Sequence, residues 1–280
     1  MKHSCREFLT LVMSATMAAC GGTLEPGEEP LGSAGDAIEG SNALNPNALN
    51  PNALNPNALD PYDLGLYPLI PGALAPEVMT AIQMPGPDGD RSRALLRYAV
   101  SCALSASQSF DFTRTDGSGA LRQESYPGLL ALAPDWATRA LHSSEQEWIS
   151  ACLASRVNWY GTSVLISSRA SHNALKKSGT EELITYTREE GAFWGNLFAN
   201  SPRLFSCHHT LNREYSRSKL RDCAAGHVTN SSTVVPCGMI EIVGDCSTSC
   251  EPLHPTGLYR SSCSAPGETQ NTQVISVFLD

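Results

Sequence analysis

Cysteine content constrains the fold of this chain more than any other feature of its sequence. Ten cysteines occur in 280 residues, and eight of them lie between residues 102 and 263. In a chain that is exported from the cytosol, an even number of cysteines predicts a disulfide framework. The eight are Cys102, Cys152, Cys207, Cys223, Cys237, Cys246, Cys250 and Cys263. Their interpretation therefore depends on whether the chain is exported.

The amino terminus has the layout of an export signal. A positively charged start precedes a mostly apolar run, residues 8–19, which ends in small residues before Cys20. The run is too short to span a bilayer as a helix and is typical of a signal peptide. Residues 1–19, including Cys5, are therefore predicted to be removed from the mature protein.

The end of this signal, Ala18-Ala19-Cys20-Gly21, resembles the lipobox of bacterial lipoproteins. The resemblance implies cleavage before Cys20 and lipid on its sulfur and new amino group. Because each buried methylene contributes about 0.8 kcal/mol, several acyl chains hold a protein on a membrane permanently. Glycines rather than Asp follow the cysteine, which resembles the address of an outer-membrane lipoprotein. The alternatives are an ordinary signal peptide that ends near a cysteine and an uncleaved anchor.

Residues 20–67 are expected to form a disordered linker. Residues 21–40 are rich in Gly, Pro, Glu and Ser and lack aromatic residues, so they cannot bury enough apolar surface to offset their ordering entropy. An Asn-Ala-Leu-Asn-Pro unit then repeats from Asn42, and its fourth copy ends at Pro61. Because every unit ends in Pro, which lacks a backbone donor, we expect a semi-extended linker rather than a pentapeptide β-solenoid.

Residues 68–280 are predicted to form one α+β domain, with helices early and short antiparallel strands late. The helices are expected near residues 91–104, 133–141, 144–158 and 180–186, with a capping box from Ser144 to Glu147. The strands are expected near residues 108–114, 120–125, 163–167, 191–198, 239–243, 258–260 and 274–279. Trp136, Trp148 and Trp159 are expected to pack in the core.

Within this domain, Cys102 and Cys152 lie on two predicted helices, far in sequence from the other six cysteines. We predict that they bridge those helices and that the other six staple the carboxy-terminal third. A zinc site is the alternative, because Cys246, Cys250 and His254 are evenly spaced. That spacing matches no standard zinc pattern, so neither a metal nor a cofactor is expected.

Charge and motifs exclude several functions. The net charge of −9 argues against nucleic acid as a partner, and the basic run 213–221 is interpreted as a solvated face. No standard catalytic motif occurs, and Cys207 followed by two histidines is not interpreted as a nucleophile, because neighbours in sequence rarely point together. Glu189 and Glu190 are the only candidates for catalysis, since glycosidases need two carboxyl groups. Trp194 and Asn196 nearby are candidates for binding. The alternative for the two glutamates is that they are surface charges that lead into a core strand.

Four runs of the domain, residues 96–104, 148–153, 190–198 and 274–278, resemble a group of exported proteins of myxobacteria. The resemblance covers about residues 95–280 and implies no activity.

Together these features predict a protein that is lipid-anchored at the outer membrane. Its domain is expected to bind a surface partner, such as polysaccharide, peptidoglycan or another protein. The alternative is a hydrolase of cell-wall or matrix polysaccharide, based on Glu189 and Glu190.

Overall fold

The computed structural model of the chain describes residues 44–45, 48–55, 59–176 and 180–280. The signal, Cys20 and the first part of the expected linker lie outside these ranges. Among the residues described, no helix has the length and apolarity needed to cross a bilayer. The helices come mostly before the strands and four disulfides staple the domain, so the predicted α+β class is confirmed.

The helices and strands are as follows. The α-helices are α1 (Pro61–Gly65), α2 (Pro76–Gln83), α3 (Pro87–Ala103), α4 (Ser143–Ser155), α5 (Thr180–Thr185), α6 (Arg213–Ser218) and α7 (Cys246–Ser249). The strands are β1 (Leu44–Asn45), β2 (Ser109–Thr115), β3 (Leu121–Pro127), β4 (Ile166–Arg169), β5 (Arg188–Asn196), β6 (Arg203–His208), β7 (His227–Val228), β8 (Val234–Val235), β9 (Ile240–Asp245) and β10 (Ile275–Leu279).

A six-stranded sheet in the order β1-β4-β10-β5-β6-β9 organises the domain. Its strand pairs are antiparallel except β6 and β9, which run parallel. The main core contains buried residues of α3, α4, β5 and β10, and α4 packs on β5. A smaller apolar cluster contains Trp194, Phe205 and buried cysteines. Alternation along β5 and β6 separates the two clusters, because successive strand residues point to opposite faces.

The predicted disulfide framework is confirmed. Cys102 and Cys152 join α3 to α4, as the sequence predicts. The other six cysteines pair within the carboxy-terminal third, as Cys207–Cys246, Cys223–Cys237 and Cys250–Cys263.

Some local predictions are wrong. Residues 258–260 form no strand, and Arg260 contributes only an isolated bridge to Leu253. The capping interaction of α4 lies two residues earlier than predicted, because the Glu145 carboxylate accepts the backbone N–H of His142 at 2.8 Å. Arg139 fixes that carboxylate from the other side, with Nη2 2.6 Å from Oε1 of Glu145.

The expected linker is wrong for residues 48–55 and 59–65, which we call the leucine strap. Leu49, Leu54, Leu59 and Leu64 recur every fifth residue and are each at most 1% exposed. The five-residue spacing continues to buried leucines at positions 69 and 74. The domain therefore begins within the repeats, well before residue 68.

Local chemistry explains how a Pro-rich repeat buries its leucines. The Asn50 carboxamide oxygen accepts the backbone N–H of Asn52 at 2.9 Å and caps a single 3₁₀ turn, Pro51–Leu54. Asp60 caps α1 in the same way. An Asx cap satisfies a free amide, and Pro at the first helical position needs no donor. The Asn50-Pro51 and Asp60-Pro61 pairs thus each start a turn that carries the next Leu inward.

The leucine strap also pairs with the end of α4. The Leu49 N–H donates to the Arg156 carbonyl at 3.1 Å, and the Leu49 carbonyl accepts the Asn158 N–H at 2.9 Å. On the other side, a Cβ at Gly238 would lie 2.5 Å from the Pro51 carbonyl oxygen, and this glycine has φ of +63°. The strap is therefore enclosed by the domain rather than laid over it.

Candidate functional site

The structure corrects the interpretation of Glu189 and Glu190 as a catalytic pair. The Glu189 carboxylate binds Arg260 through two hydrogen bonds, 2.8 Å from Nε and 2.9 Å from Nη2. The Glu190 carboxylate instead binds Arg221, with Oε2 2.9 Å from Nη2. Both carboxylates are almost fully buried. Because they are buried and bound to different arginines, they cannot act together across a glycosidic bond.

The binding candidates Trp194 and Asn196 are also structural. Trp194 is 1% exposed and packs on Phe205, with ring centroids 5.9 Å apart. The Asn196 side chain donates to Gln146 at 3.2 Å and accepts the Phe198 N–H at 2.8 Å. The alternative interpretation, surface charges that lead into a core strand, is right about the buried strand but wrong about the charges, because Glu189 and Glu190 are buried within β5.

An exposed aromatic turn lies immediately after α4, where the sequence predicts a core tryptophan. Trp136 and Trp148 are buried as expected, but Trp159 is 40% exposed and Tyr160 is 42% exposed. The turn is held by Asn158, whose side-chain oxygen accepts the Tyr160 N–H at 2.8 Å. The core interpretation of Trp159 is wrong because the helix ends at residue 155 and the chain turns outward.

Trp159 stacks on an imidazole that a buried carboxylate orients. The rings of Trp159 and His227 are 4.2 Å apart and 8° from parallel. Nδ1 of His227 lies 2.7 Å from Oδ2 of Asp222, which also accepts the Tyr160 hydroxyl at 3.0 Å. We call these four residues, Trp159, Tyr160, Asp222 and His227, the aromatic platform. Burial, and then the Asp222 charge, raise the pKa of Tyr160, so its hydroxyl stays protonated and donates.

The platform rests on buried polar groups. Asn158 donates from Nδ2 to the Leu220 carbonyl at 3.0 Å, which ties the turn to the segment that carries Asp222. Arg221 donates to the Val157 carbonyl at 3.0 Å and to the Ser155 carbonyl at 2.8 Å, and so satisfies the end of α4. Burial raises the pKa of Glu190, and Arg221 opposes this shift. Glu190 therefore supports the platform through Arg221.

One face of the Trp159 indole is covered by His227, so its exposed area lies on its opposite face and its edges. Its partner ring is fixed in turn by Asp222, which is 2% exposed. A rigid aromatic ring binds a ligand at low entropic cost, because little rotamer freedom remains to be lost. The platform thus offers an apolar surface beside a hydroxyl and an imidazole, both held in place by the buried Asp222 carboxylate.

The remaining candidates do not form a second site among the described residues. In two groups of residues, the atoms that could bind a metal lie within 4.8 Å of one another. One group is Cys207, Cys246 and Cys250, and the other is Asp222, Cys223 and Cys237. Every cysteine in both groups is bonded in a disulfide, so neither group offers a thiolate to a metal.

The histidines beside these cysteines are separated in the structure. Burial lowers the pKa of His208, and the Arg213 charge adds to that shift. His254 stacks on Tyr259, with ring centroids 4.9 Å apart, at the wall of a cleft of about 330 Å³. Cys207 is oxidised, so it is no nucleophile.

Comparison with known proteins gives no identity for this site. No protein-family model, no curated protein and no solved structure matches the chain. The sequence does not predict the platform, because Trp159 is expected in the core and nothing in its neighbourhood indicates the stack with His227. The signal that marks it is the run Asn158-Trp159-Tyr160-Gly161, where a turn-forming pair encloses two aromatic residues.

Proposed function

We propose that this protein is a lipid-anchored module of the outer membrane that binds envelope polysaccharide through the aromatic platform. The exposed and rigidly stacked Trp159 carries the proposal. Aromatic faces suit the C–H faces of sugar rings, and the hydroxyl and imidazole beside the indole suit sugar hydroxyl groups. Binding sites of this kind combine apolar surface with a few fixed polar groups.

The proposed location rests on the amino-terminal signal and is supported by oxidation of the domain. Four disulfides, two of them closing loops of 50 and 39 residues, suit an oxidising compartment outside the cytosol. A thioether-linked lipid at Cys20 would then hold the protein at a membrane.

Replacing Trp159 with alanine is expected to weaken polysaccharide binding ~30-fold, about 2 kcal/mol, the range of a central aromatic contact. Affinity electrophoresis against purified envelope polysaccharides and peptidoglycan fragments measures the change. Tyr67→Ala is the matched control, because Tyr67 is 40% exposed but lies far along the chain from the platform. Equal binding by Trp159→Ala and the wild type would show that the platform is not the binding site.

The Asp222–His227 pair favours a second candidate, a polysaccharide hydrolase. A carboxylate that orients an imidazole is the arrangement of a general base, and this pair replaces the rejected Glu189 and Glu190. His227→Gln separates the candidates: a hydrolase loses turnover, measured as released reducing ends. A binding module shows no turnover in the wild type, and its variant is expected to bind intact polymer more weakly, because the ring that stacks on Trp159 is lost.

Lipid attachment is tested by growth with an alkyne fatty acid. We expect the label on the wild-type protein and none on Cys20→Ser, because the thioether sulfur is removed. An unlabelled wild-type protein whose mature chain starts at another residue would reject the anchor, while leaving the platform proposal intact.

A further inference from the structure

Two of the four disulfides lie in contact with each other. Cys207–Cys246 and Cys250–Cys263 approach so closely that Sγ of Cys207 lies 3.4 Å from Sγ of Cys250. This is the separation of sulfur atoms that touch without a bond. Sγ of Cys246 belongs to the same group within 4.8 Å. No other disulfide among the described residues shares such a group with a second one.

The fold fixes this contact from three sides. Cys207 is on β6, which pairs in parallel with β9. The chain leaves β9 directly into α7, where Asp245 accepts the Ser247 N–H at 2.7 Å and so caps the turn that begins at Cys246. The Cys250 N–H donates to the Cys246 carbonyl at 3.0 Å, which places both cysteines on one turn facing β6.

Of these two disulfides, only Cys250–Cys263 includes a cysteine that is not fully buried. Cys207, Cys246 and Cys263 are each at most 1% exposed and pack with Trp194 and Phe205. Cys250 is only partly buried, at the rim of this apolar cluster. A small thiol therefore reaches Cys250 first, while the inner sulfurs react only with one another.

We propose that these four cysteines form a thiol–disulfide exchange site that takes small thiols. A thiolate attacks Sγ of Cys250, forms a mixed disulfide there and expels the Cys263 thiolate, which takes up a proton. A second thiol releases Cys250 as a thiolate and leaves as a symmetrical disulfide. The Cys250 thiolate then attacks Sγ of Cys207, forms a Cys207–Cys250 bond and expels the Cys246 thiolate. Two external thiols are oxidised, and the protein gains thiols at Cys246 and Cys263.

The last step is favoured by proximity. Exchange needs a thiolate in contact with a disulfide sulfur, and the fold holds the two sulfurs in contact before reduction. An intramolecular reaction in place of an encounter gains a large effective concentration. The pairing of Cys207 with Cys250 is therefore reached without unfolding, whereas Cys102–Cys152 and Cys223–Cys237 have no second disulfide beside them.

Cys263→Ser tests the inner step without any reductant. The variant leaves one unpaired thiol, at Cys250, against the Cys207–Cys246 bond. The variant is alkylated under non-denaturing conditions, denatured in excess alkylating agent and analysed by peptide mapping. We expect a Cys207–Cys250 link and label on Cys246 in a substantial fraction of molecules. The matched control is Cys237→Ser, whose free Cys223 should be the only labelled cysteine. Label on Cys250 alone in Cys263→Ser would overturn the proposal.

A second measurement uses the wild-type protein and does not depend on the folding of a variant. Limited treatment with reduced glutathione, followed by an acid quench, is expected to give glutathione on Cys250 first. Molecules that have lost one disulfide should then carry free thiols at Cys246 and Cys263. Molecules that carry free thiols only as native pairs, Cys250 with Cys263 or Cys207 with Cys246, would contradict the exchange.

Discussion

Replacing Leu54 with alanine is expected to lower the free energy of unfolding by about 2–5 kcal/mol, the range for a buried leucine that leaves a cavity. Leu54 is fully buried in the main core, although it belongs to a repeat whose composition predicts a linker. Urea denaturation of the domain, followed by circular dichroism, measures the loss. If Leu54 belonged to a linker, the substitution would not change the free energy of unfolding.

The control for this experiment is Leu66→Ala, because Leu66 lies just beyond the leucine strap and is 43% exposed. Its loss of stability should be several-fold smaller than that of Leu54→Ala. A second comparison deletes residues 1–58, which removes Leu49 and Leu54 but leaves α1. We expect that deletion to destabilise the domain more than Leu54→Ala, because two buried leucines and the pairing with residues 156–158 are lost together. If the deletion variant were as stable as the wild-type protein, the repeat would act only as a linker.

Arg221→Met is expected to cost about 3–5 kcal/mol of folding stability, since it leaves the Glu190 carboxylate buried without its partner. It also removes the donors to the Ser155 and Val157 carbonyls. Chemical denaturation at pH 8 measures the loss. The matched control is Arg203→Met, which breaks exposed ion pairs with Glu241 and Glu268 and a contact with the Phe205 ring. It should cost about 1 kcal/mol or less.

Two further measurements identify the cause of this loss. The double variant Arg221→Met, Glu190→Met should be more stable than Arg221→Met, because no unpaired charge remains in the core. The loss in Arg221→Met should also shrink as the pH falls from 8 to 5. Burial raises the pKa of Glu190 in the folded state, so the penalty is present above that pKa and disappears as the pH falls toward the unfolded value. A loss that is independent of pH and unchanged in the double variant would assign the effect to packing alone.

The sequence predicts those parts of this fold that depend on regular spacing. The apolar positions of α3 are spaced as in a helix, and the isolated position of Cys102 and Cys152 on two helices is enough to pair them. Alternation and turn residues likewise predict the β2–β3 hairpin, which the structure contains. The helix and the hairpin are local, so neighbours in sequence determine them, whereas the disulfide follows from the distance in sequence between these two cysteines and the other six.

The leucine strap and the platform could not be predicted in the same way. A leucine every fifth residue matches neither a helix nor a strand, so burial of Leu49 and Leu54 depends on a groove built by distant residues. The Trp159 stack depends on His227, which lies on another segment of the chain. Glu189 and Glu190 are adjacent in sequence but bind different arginines, and no local pattern reports those partners.

Enclosure of the leucine strap also sets how mechanical load enters the protein. If Cys20 holds the membrane anchor, residues 21–43 join it to β1 and reach at most roughly 80 Å when pulled straight. Tension on the anchor then arrives first at β1, which pairs with β4, and next at Leu49, which is hydrogen-bonded on both sides of Val157. The attachment at Leu49 adjoins the Trp159 turn, so the pull of the membrane and a drag force on bound polymer act on neighbouring residues.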